Sequence, residues 1–400
     1  MDPLIFLIIV IFAWFSLSTI SRIPWFDFKN PDIGLGYAFY RTKKLNNLID
    51  RLAQKGQLFW KFLWDIGIIS GLGILLTGLI IFTINIPLFF IPSTDGSTPG
   101  TPTAISIAPV IPGITVSLEN LPYFLLAVMI GAIAHEFAHG IAARGENIKL
   151  KSTGIFVFLV FFGAFVEPDD KSFLEKPQRS KIRVWAAGAL ANMMVALIFL
   201  IIFIPLLFPV FMAPFYQTSS SGALVIETVT NTPASLSGIK AGFAIVGINS
   251  SPGYIQINSV AGFQNFTNNF LFPNQEVTFF FDNELNPITL ISIENPNNST
   301  RGFIGIRTTD YLKPRITFLP YLVNLFPYWI YTAFLYIFMI NLMFAIINLL
   351  PIPILDGDKL LADFLGPKFS RYQPWIRYYA LGILLLNMFL SFFITGWGQL

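Results

Sequence analysis

The chain has 400 residues, 54% hydrophobic and 12% charged, with a mean hydropathy of +0.66. Soluble domains carry about 25% charged residues, so an ordinary soluble enzyme is excluded, and apolar residues arranged in runs point to a polytopic membrane protein. The absence of cysteine removes disulfides and thiolate metal sites. A net charge of +3 says little in a membrane protein, and no directly bound nucleic acid is expected. There are two histidines in the whole chain, and they stand four residues apart.

A bilayer core needs roughly 20 apolar residues as helix. Five segments meet that requirement, at about 3–20, 66–91, 184–212, 322–350 and 376–396. A sixth, about 121–143, is interrupted only by His135-Glu136-Phe137-Ala138-His139. The first segment lacks the basic start and small-x-small site of a signal peptide and reads as a retained anchor. Residues 21–61 and 144–183 carry eight Lys/Arg each, whereas 92–120 carry none. Basic loops stay cytoplasmic, which puts the amino terminus outside, the two histidines near the cytoplasmic end of the third span, and 213–320 outside.

Three stretches do not read as spanning helix. Residues 92–120, rich in Gly, Pro, Ser and Thr, form an irregular outer loop. Residues 154–166 are apolar, aromatic and β-branched, too short to span, and bracketed by glycines and Pro168. They predict a re-entrant β-hairpin beside the site, with a buried half-helix as the alternative. Residues about 218–312 show strand-like alternation in Ala223–Thr230 and Val277–Phe281, separated by turn residues, and predict a small β-rich domain.

The chemistry centres on His135-Glu136-Phe137-Ala138-His139. On a helix, positions i and i+4 share a face, so both imidazoles reach one ion, and Glu136 lies where it can hold and deprotonate a water without being a ligand. Ionisable residues inside a span cost about 2.5–3.5 kcal/mol each by insertion scales, which argues for a role. A catalytic zinc takes three protein ligands and leaves one position open. With the other ligand types used up, the third is a carboxylate. Asp356 follows Pro351 and Pro353, which open the backbone, and precedes Gly357; Asp358 is the nearest competitor, with Glu167, Asp169 and Asp170 further candidates. An ordinary turn after a helix is the plain alternative for Asp356-Gly357.

His135 to His139 together with Asn348-x-x-Pro-x-Pro-x-x-Asp356-Gly357 resembles the site-2 protease family of intramembrane zinc metalloproteases. The resemblance covers about 121–365. It implies hydrolysis of peptide bonds within or next to transmembrane segments of membrane proteins, as in regulated intramembrane proteolysis, with zinc held by His135, His139 and Asp356 and with Glu136 as the base. Gly163-Ala-Phe-Val-Glu-Pro168 is similar to the family's membrane re-entrant segment. Gly188-Ala-Leu-Ala-Asn192 resembles its Gly-x-x-x-Asn element, although Ala189 replaces a proline often found there; this implies Asn192 close to the zinc, in support of catalysis or, on the plain alternative, in a helix–helix hydrogen bond.

Asn231-Thr-Pro-Ala234, Gly238-Ile-Lys-Ala-Gly242 and Ile245-Val-Gly-Ile-Asn249 are similar to a PDZ module, with Phe243 where an aspartate is common. Such a module would take a peptide end or filter substrates by size. The expected fold class is thus an α-helical polytopic membrane protein of about six spans, with a re-entrant β-hairpin and one inserted PDZ-like extramembrane domain. The expected divisions are 1–120 (first helices and outer loop), 121–217 (first part of the protease core), 218–312 (PDZ-like, outside) and 313–400 (second part of the core and last span). The expected setting is a cell membrane, with transmembrane proteins as substrates. A catalytically inactive scaffold or receptor that keeps the fold is the rival reading; a metal transporter is a weaker one, because the ionisable groups gather at one end.

Overall fold

The structure is a computed structural model, and it describes residues 3–21, 31–92, 102–251, 253–282, 286–296, 298–315 and 321–396. Residues 93–101 of the expected outer loop and 22–30 of the first basic segment lie outside the described residues. The chain divides into two compact units, residues 1–200 with 335–400, and residues 201–334.

In the first unit, apolar α1 (Pro3–Ile20) is followed by β1 (Pro31–Gly34), β2 (Tyr37–Thr42), amphipathic α2 (Lys44–Gln54) and the long α3 (Gln57–Leu88). Next come α4 (Leu121–Gly145), β3 (Leu150–Phe158), β4 (Phe161–Pro168), a short α5 (Asp170–Leu174) and α6 (Gln178–Ile198). Residues 154–166 do form a hairpin rather than a half-helix: β3 pairs antiparallel with β4 around a two-residue turn in which Leu159 takes φ +53°. The sheet is larger than the sequence suggests, with order β1-β2-β3-β4, so β4 lies at its end. Trp14 of α1 donates from Nε1 to the Leu159 carbonyl and ties the hairpin tip to the first helix.

The α6 helix runs on through a π-helical segment (Phe199–Leu207, containing Pro205) into α7 (Phe208–Met212). The second unit holds β5 (Tyr216–Thr228), α8 (Pro233–Leu236), β6 (Ala244–Ser250), β7 (Gly253–Gln256), α9 (Val260–Asn269), β8 (Glu276–Phe281), β9 (Ile288–Ile291), β10 (Ile293–Asn295), β11 (Asn298–Phe303) and β12 (Ile306–Pro314). Five of its strands run in the order β12-β5-β6-β8-β9, with β7 on β6. Alternate residues of these strands (Ala223, Val225, Ile245, Val277, Phe279, Phe281) and α9 residues Phe263 and Phe266 fill one core, which also buries Phe243. Burial there is what selects Phe243 at that position.

The chain continues through α10 (Phe326–Asn348), α11 (Asp356–Leu365), α12 (Gln373–Leu390) and a terminal π-turn (Ser391–Thr395). Among the described residues, five helices are long and apolar enough to cross a membrane: 57–88, 121–145, 178–212, 322–348 and 370–395, and α1 is a shorter apolar helix. This is the pattern of a multi-pass membrane protein with a β-rich part.

Several polar groups inside this helical unit find partners on neighbouring helices, as an apolar surround favours. Asn85 of α3 and Asn387 of α12 bond each other, and Asn85 also takes the Ile105 N–H and donates to its carbonyl. At the opposite end of α3, Asp65 accepts from Arg179 and Arg183 of α6, and Arg183 also reaches Glu146 just after α4. That network fixes α3, α4 and α6 to one another beside the site described next.

Candidate metal centre and its cleft

The motif lies on α4, and its helical spacing turns both imidazoles to one side. His135 Nε2 and His139 Nε2 are 3.0 Å apart, with their rings nearly perpendicular. Asp356 Oδ2 closes a triangle, 3.1 Å from His135 Nε2 and 2.9 Å from His139 Nε2. Both histidines are buried. The donor atoms of a tetrahedral zinc with bonds of 2.0–2.1 Å stand about 3.3 Å apart. Two imidazoles and a carboxylate at this spacing therefore fit zinc, and they form a group able to hold a metal.

Asp356 reaches the histidines because the backbone between α10 and α11 is not helical. Pro351 and Pro353 interrupt it, and Ile354 sits at φ +86°, a conformation that costs a β-branched residue of order 1–3 kcal/mol. Gly357 then passes so close to the end of α10 that a Cβ would stand 2.0 Å from the Leu349 carbonyl oxygen. Burial alone would raise the Asp356 carboxyl; the His139 and His135 imidazoles outweigh it and hold that carboxyl well below the ordinary carboxylate range.

The competing carboxylates are engaged elsewhere. Asp358 is buried against Arg377, at 2.6 and 2.7 Å, and accepts from Gln373. Glu167 accepts from Ser152, Asp170 pairs with Lys151, and Asp169 caps α5 through the Ser172 N–H.

Helix α6 supplies the outer layer. His139 Nδ1 donates to the Val184 carbonyl at 2.7 Å, which leaves its Nε2 lone pair for a metal. Asn192 is fully buried, with its Nδ2 3.2 Å from His135 Nδ1 and its Oδ1 lacking a partner among the described residues. Turned over, the amide puts Oδ1 on a His135 Nδ1–H, the tautomer a metal at Nε2 requires, and the orphaned oxygen is satisfied. Gly188 lies between these two positions. A Cβ there would stand 2.5 Å from His135 Cε1 and from His139 Nε2.

Sequence reasoning did not reach the Val184 carbonyl, since a backbone acceptor leaves no trace in residue type. It singled out Gly188 as part of a motif without its reason, which is the close approach of two rings. Neither did it reach Val166, whose backbone N–H donates to Glu136 Oε2 at 2.9 Å.

The triad opens into a cavity of about 840 Å³. One wall is a stripe of α4, Val128, Ala132, His135 and His139, at helical spacing; the opposite wall is β4, from Phe161 to Pro168. Asn348, Ile354 and Asp356 border it from the α10–α11 side.

Residues 123–387, about two thirds of the chain, match the model of peptidase family M50. The chain belongs to that family. M50 peptidases are zinc-dependent metallopeptidases, and the donor set above suits that metal. The chain is also similar to a membrane-bound transcription factor site-2 protease homolog of Arabidopsis thaliana, with 27% identity over 186 residues, 46% of this chain and 35% of that protein. An uncharacterized protein of Methanocaldococcus jannaschii is 39% identical over 74 residues, 18% of this chain and 20% of its own length. The chain thus spans about a third and a fifth of these two relatives.

Proposed function

We propose that this M50 member is an active intramembrane zinc metalloendopeptidase that cuts within or next to transmembrane segments of other membrane proteins. The observation that carries the reading is the buried triangle of His135, His139 and Asp356 at one end of an apolar cleft that has a β-edge as its far wall. A zinc held there would polarise the scissile carbonyl and acidify a water. Glu136, next to the ligand His135, would accept a proton from the attacking water on a carboxylate oxygen and pass it to the leaving amine. Asn192 and Val184 keep the two imidazoles in the tautomers that present Nε2. The largely apolar lining of the cleft suits a membrane-derived segment.

A transmembrane helix hides its carbonyls in its own hydrogen bonds and must be unwound before attack. An edge strand offers the freed backbone new partners, as strand addition does in peptide recognition. The β4 strand stands where such pairing would lay an extended substrate beside the metal ligands.

The remaining readings belong to the same proposal. The Lys/Arg-rich segments 21–61 and 144–183 favour a cytoplasmic position for the metal centre and an outer position for 218–312. That β-rich domain is proposed to be PDZ-like. Its cleft of about 360 Å³ between α9 and β11–β12, bordered by Phe263, Asn268, Arg301, Ile304 and Arg307, supports the binding of a peptide end.

The test is cleavage of a model transmembrane substrate in detergent by wild type and Glu136→Ala, with zinc content measured in both. Equal zinc of about one per chain, with loss of cutting by at least about 100-fold in the variant, supports the protease. Zinc bound without cleavage of any of a panel of substrates would favour the inactive scaffold.

A further inference from the structure

The backbone donor that Glu136 accepts from in this structure lies on the strand proposed to take substrate. The β3–β4 turn closes on the pair Phe158–Phe161, and the register then runs Phe156–Gly163 and Gly154–Phe165. The closing pair of a two-residue hairpin exchanges both hydrogen bonds, and such pairs alternate with pairs whose N–H and C=O groups point away from the partner strand. Phe162, Ala164 and Val166 therefore turn their backbone groups to the outer edge of β4, the end of the sheet. The Val166 N–H confirms the parity, because it reaches Glu136 Oε2 at 2.9 Å across that edge. Pro168, the next outward position, has no N–H to offer.

Val166 thus holds the last outward donor of the edge on the side of the metal centre, and the carboxylate expected to act as base occupies it. An extended chain that pairs with β4 through Phe162 and Ala164 arrives at Val166 with a carbonyl aimed at the same N–H. Both cannot take it at full strength.

We propose that Glu136 is exchanged off Val166 by the substrate strand: the N–H of Val166 anchors the base while the cleft is empty, and substrate pairing takes over that N–H and releases the carboxylate to its water. This rests on the protease reading above and adds to it a coupling between strand addition and base availability. It makes hydrolysis conditional on an unwound chain, since a helix would not present the competing carbonyl. The swap conserves hydrogen bonds: one acceptor replaces another on Val166 N–H, and Glu136 gains a water in place of the amide.

Four zinc-loaded full-length proteins test it, none of them able to cut: Glu136→Gln, Glu136→Ala, and each combined with Val166→Pro. Glutamine keeps an acceptor for Val166 N–H, alanine removes it, and proline removes the donor at an edge position where the β3 ladder loses nothing. The probe is a fluorescein-labelled ten-residue peptide of alternating Val and Ala, with binding read by anisotropy in detergent. A neutral hydrogen bond is worth about fivefold in an equilibrium constant. The exchange expects Glu136→Ala to bind about fivefold tighter than Glu136→Gln, and expects that advantage to vanish when both carry Val166→Pro.

An equal advantage with and without Val166→Pro overturns the exchange, as does no advantage at all. Failure of all four forms to bind also overturns it, while the protease reading stands or falls separately on cleavage by wild type. Should the proline variants not fold, hydrogen exchange of the 161–168 segment replaces them. Glu136→Ala must then exchange faster than Glu136→Gln without peptide and equally with it; equal rates without peptide overturn the exchange.

Discussion

Replacing Gly188 by alanine separates metal binding from folding. The new Cβ would meet His135 Cε1 and His139 Nε2 at 2.5 Å and His135 Nε2 at 2.6 Å, where ordinary contact begins at 3.4 Å. Something must move by about 0.9 Å, whereas ligand positions in a zinc site tolerate about 0.2 Å. The α6 backbone is poorly placed to give, because Ala186, Ala187 and Ala189 are fully buried around it. The imidazoles are therefore displaced, and zinc affinity should fall by about 100-fold or more, beyond what loss of an outer partner does. Helix propensity acts in the opposite sense, since alanine is favoured over glycine by about 1 kcal/mol in a helix interior. Metal-stripped Gly188→Ala should accordingly melt within a few degrees of metal-stripped wild type. The assay is zinc per chain by mass spectrometry after equilibration with a graded series of chelators, alongside thermal unfolding. Wild-type zinc affinity in the variant would refute the packing argument, and with it the placing of the metal between these rings.

Asp356→Asn should lose zinc with little change in the fold, whereas Asp358→Asn should keep zinc and lose about 1–3 kcal/mol of stability by leaving Arg377 without its buried carboxylate; chelator titration and thermal unfolding tell the two apart. Asn192→Ala should weaken zinc binding by about tenfold, because His135 loses the group that fixes its tautomer, and unchanged affinity would reduce Asn192 to a packing role. Arg183→Ala removes the cation shared by Asp65 and Glu146, leaving Asp65 with Arg179 and Glu146 with Ser180, and should cost about 1–3 kcal/mol, read as a fall in the unfolding temperature; a loss below about 1 kcal/mol would mean the network is dispensable.

What could be read from residue order follows the range of the interactions involved. The His135–His139 pair lies on one helix, so its meeting is a consequence of helical periodicity. Asp356 meets them across more than two hundred residues, and only the combination of two prolines, an aspartate and a glycine signalled a backbone opened on purpose. The family resemblance favours Asp356 over Asp358; what residue order does not show is the physical reason Asp358 is unavailable, its pairing with Arg377 on another helix. The hairpin at 154–166 was legible from its β-branched and aromatic content. Its extension by β1 and β2 was not, since Asp32-Ile-Gly-Leu-Gly-Tyr37 is too short and glycine-rich to look like a strand pair until β3 supplies an edge. The hairpin turn itself carries no glycine: Leu159 takes φ +53°, held by its N–H to the Gly36 carbonyl and its carbonyl to Trp14.

The arrangement of α6 explains why one helix is so constrained. Val184, Gly188 and Asn192 stand at i, i+4 and i+8, a single stripe, and they face His135 and His139, which stand at i and i+4 on α4. The stripe supplies in turn a carbonyl for His139 Nδ1, a gap for both rings, and an amide for His135 Nδ1. Register is what makes this work: a shift of α6 by one residue along α4, about 1.5 Å, would put a methyl group where the gap is required. Arg183, next to the first member of the stripe, is clamped by Asp65 of α3 and by Glu146 at the end of α4, so the ion pairs set the register that the metal centre depends on. A buried ion network contributes little to stability for the charge it hides, but it is well suited to fixing one alignment against its neighbours.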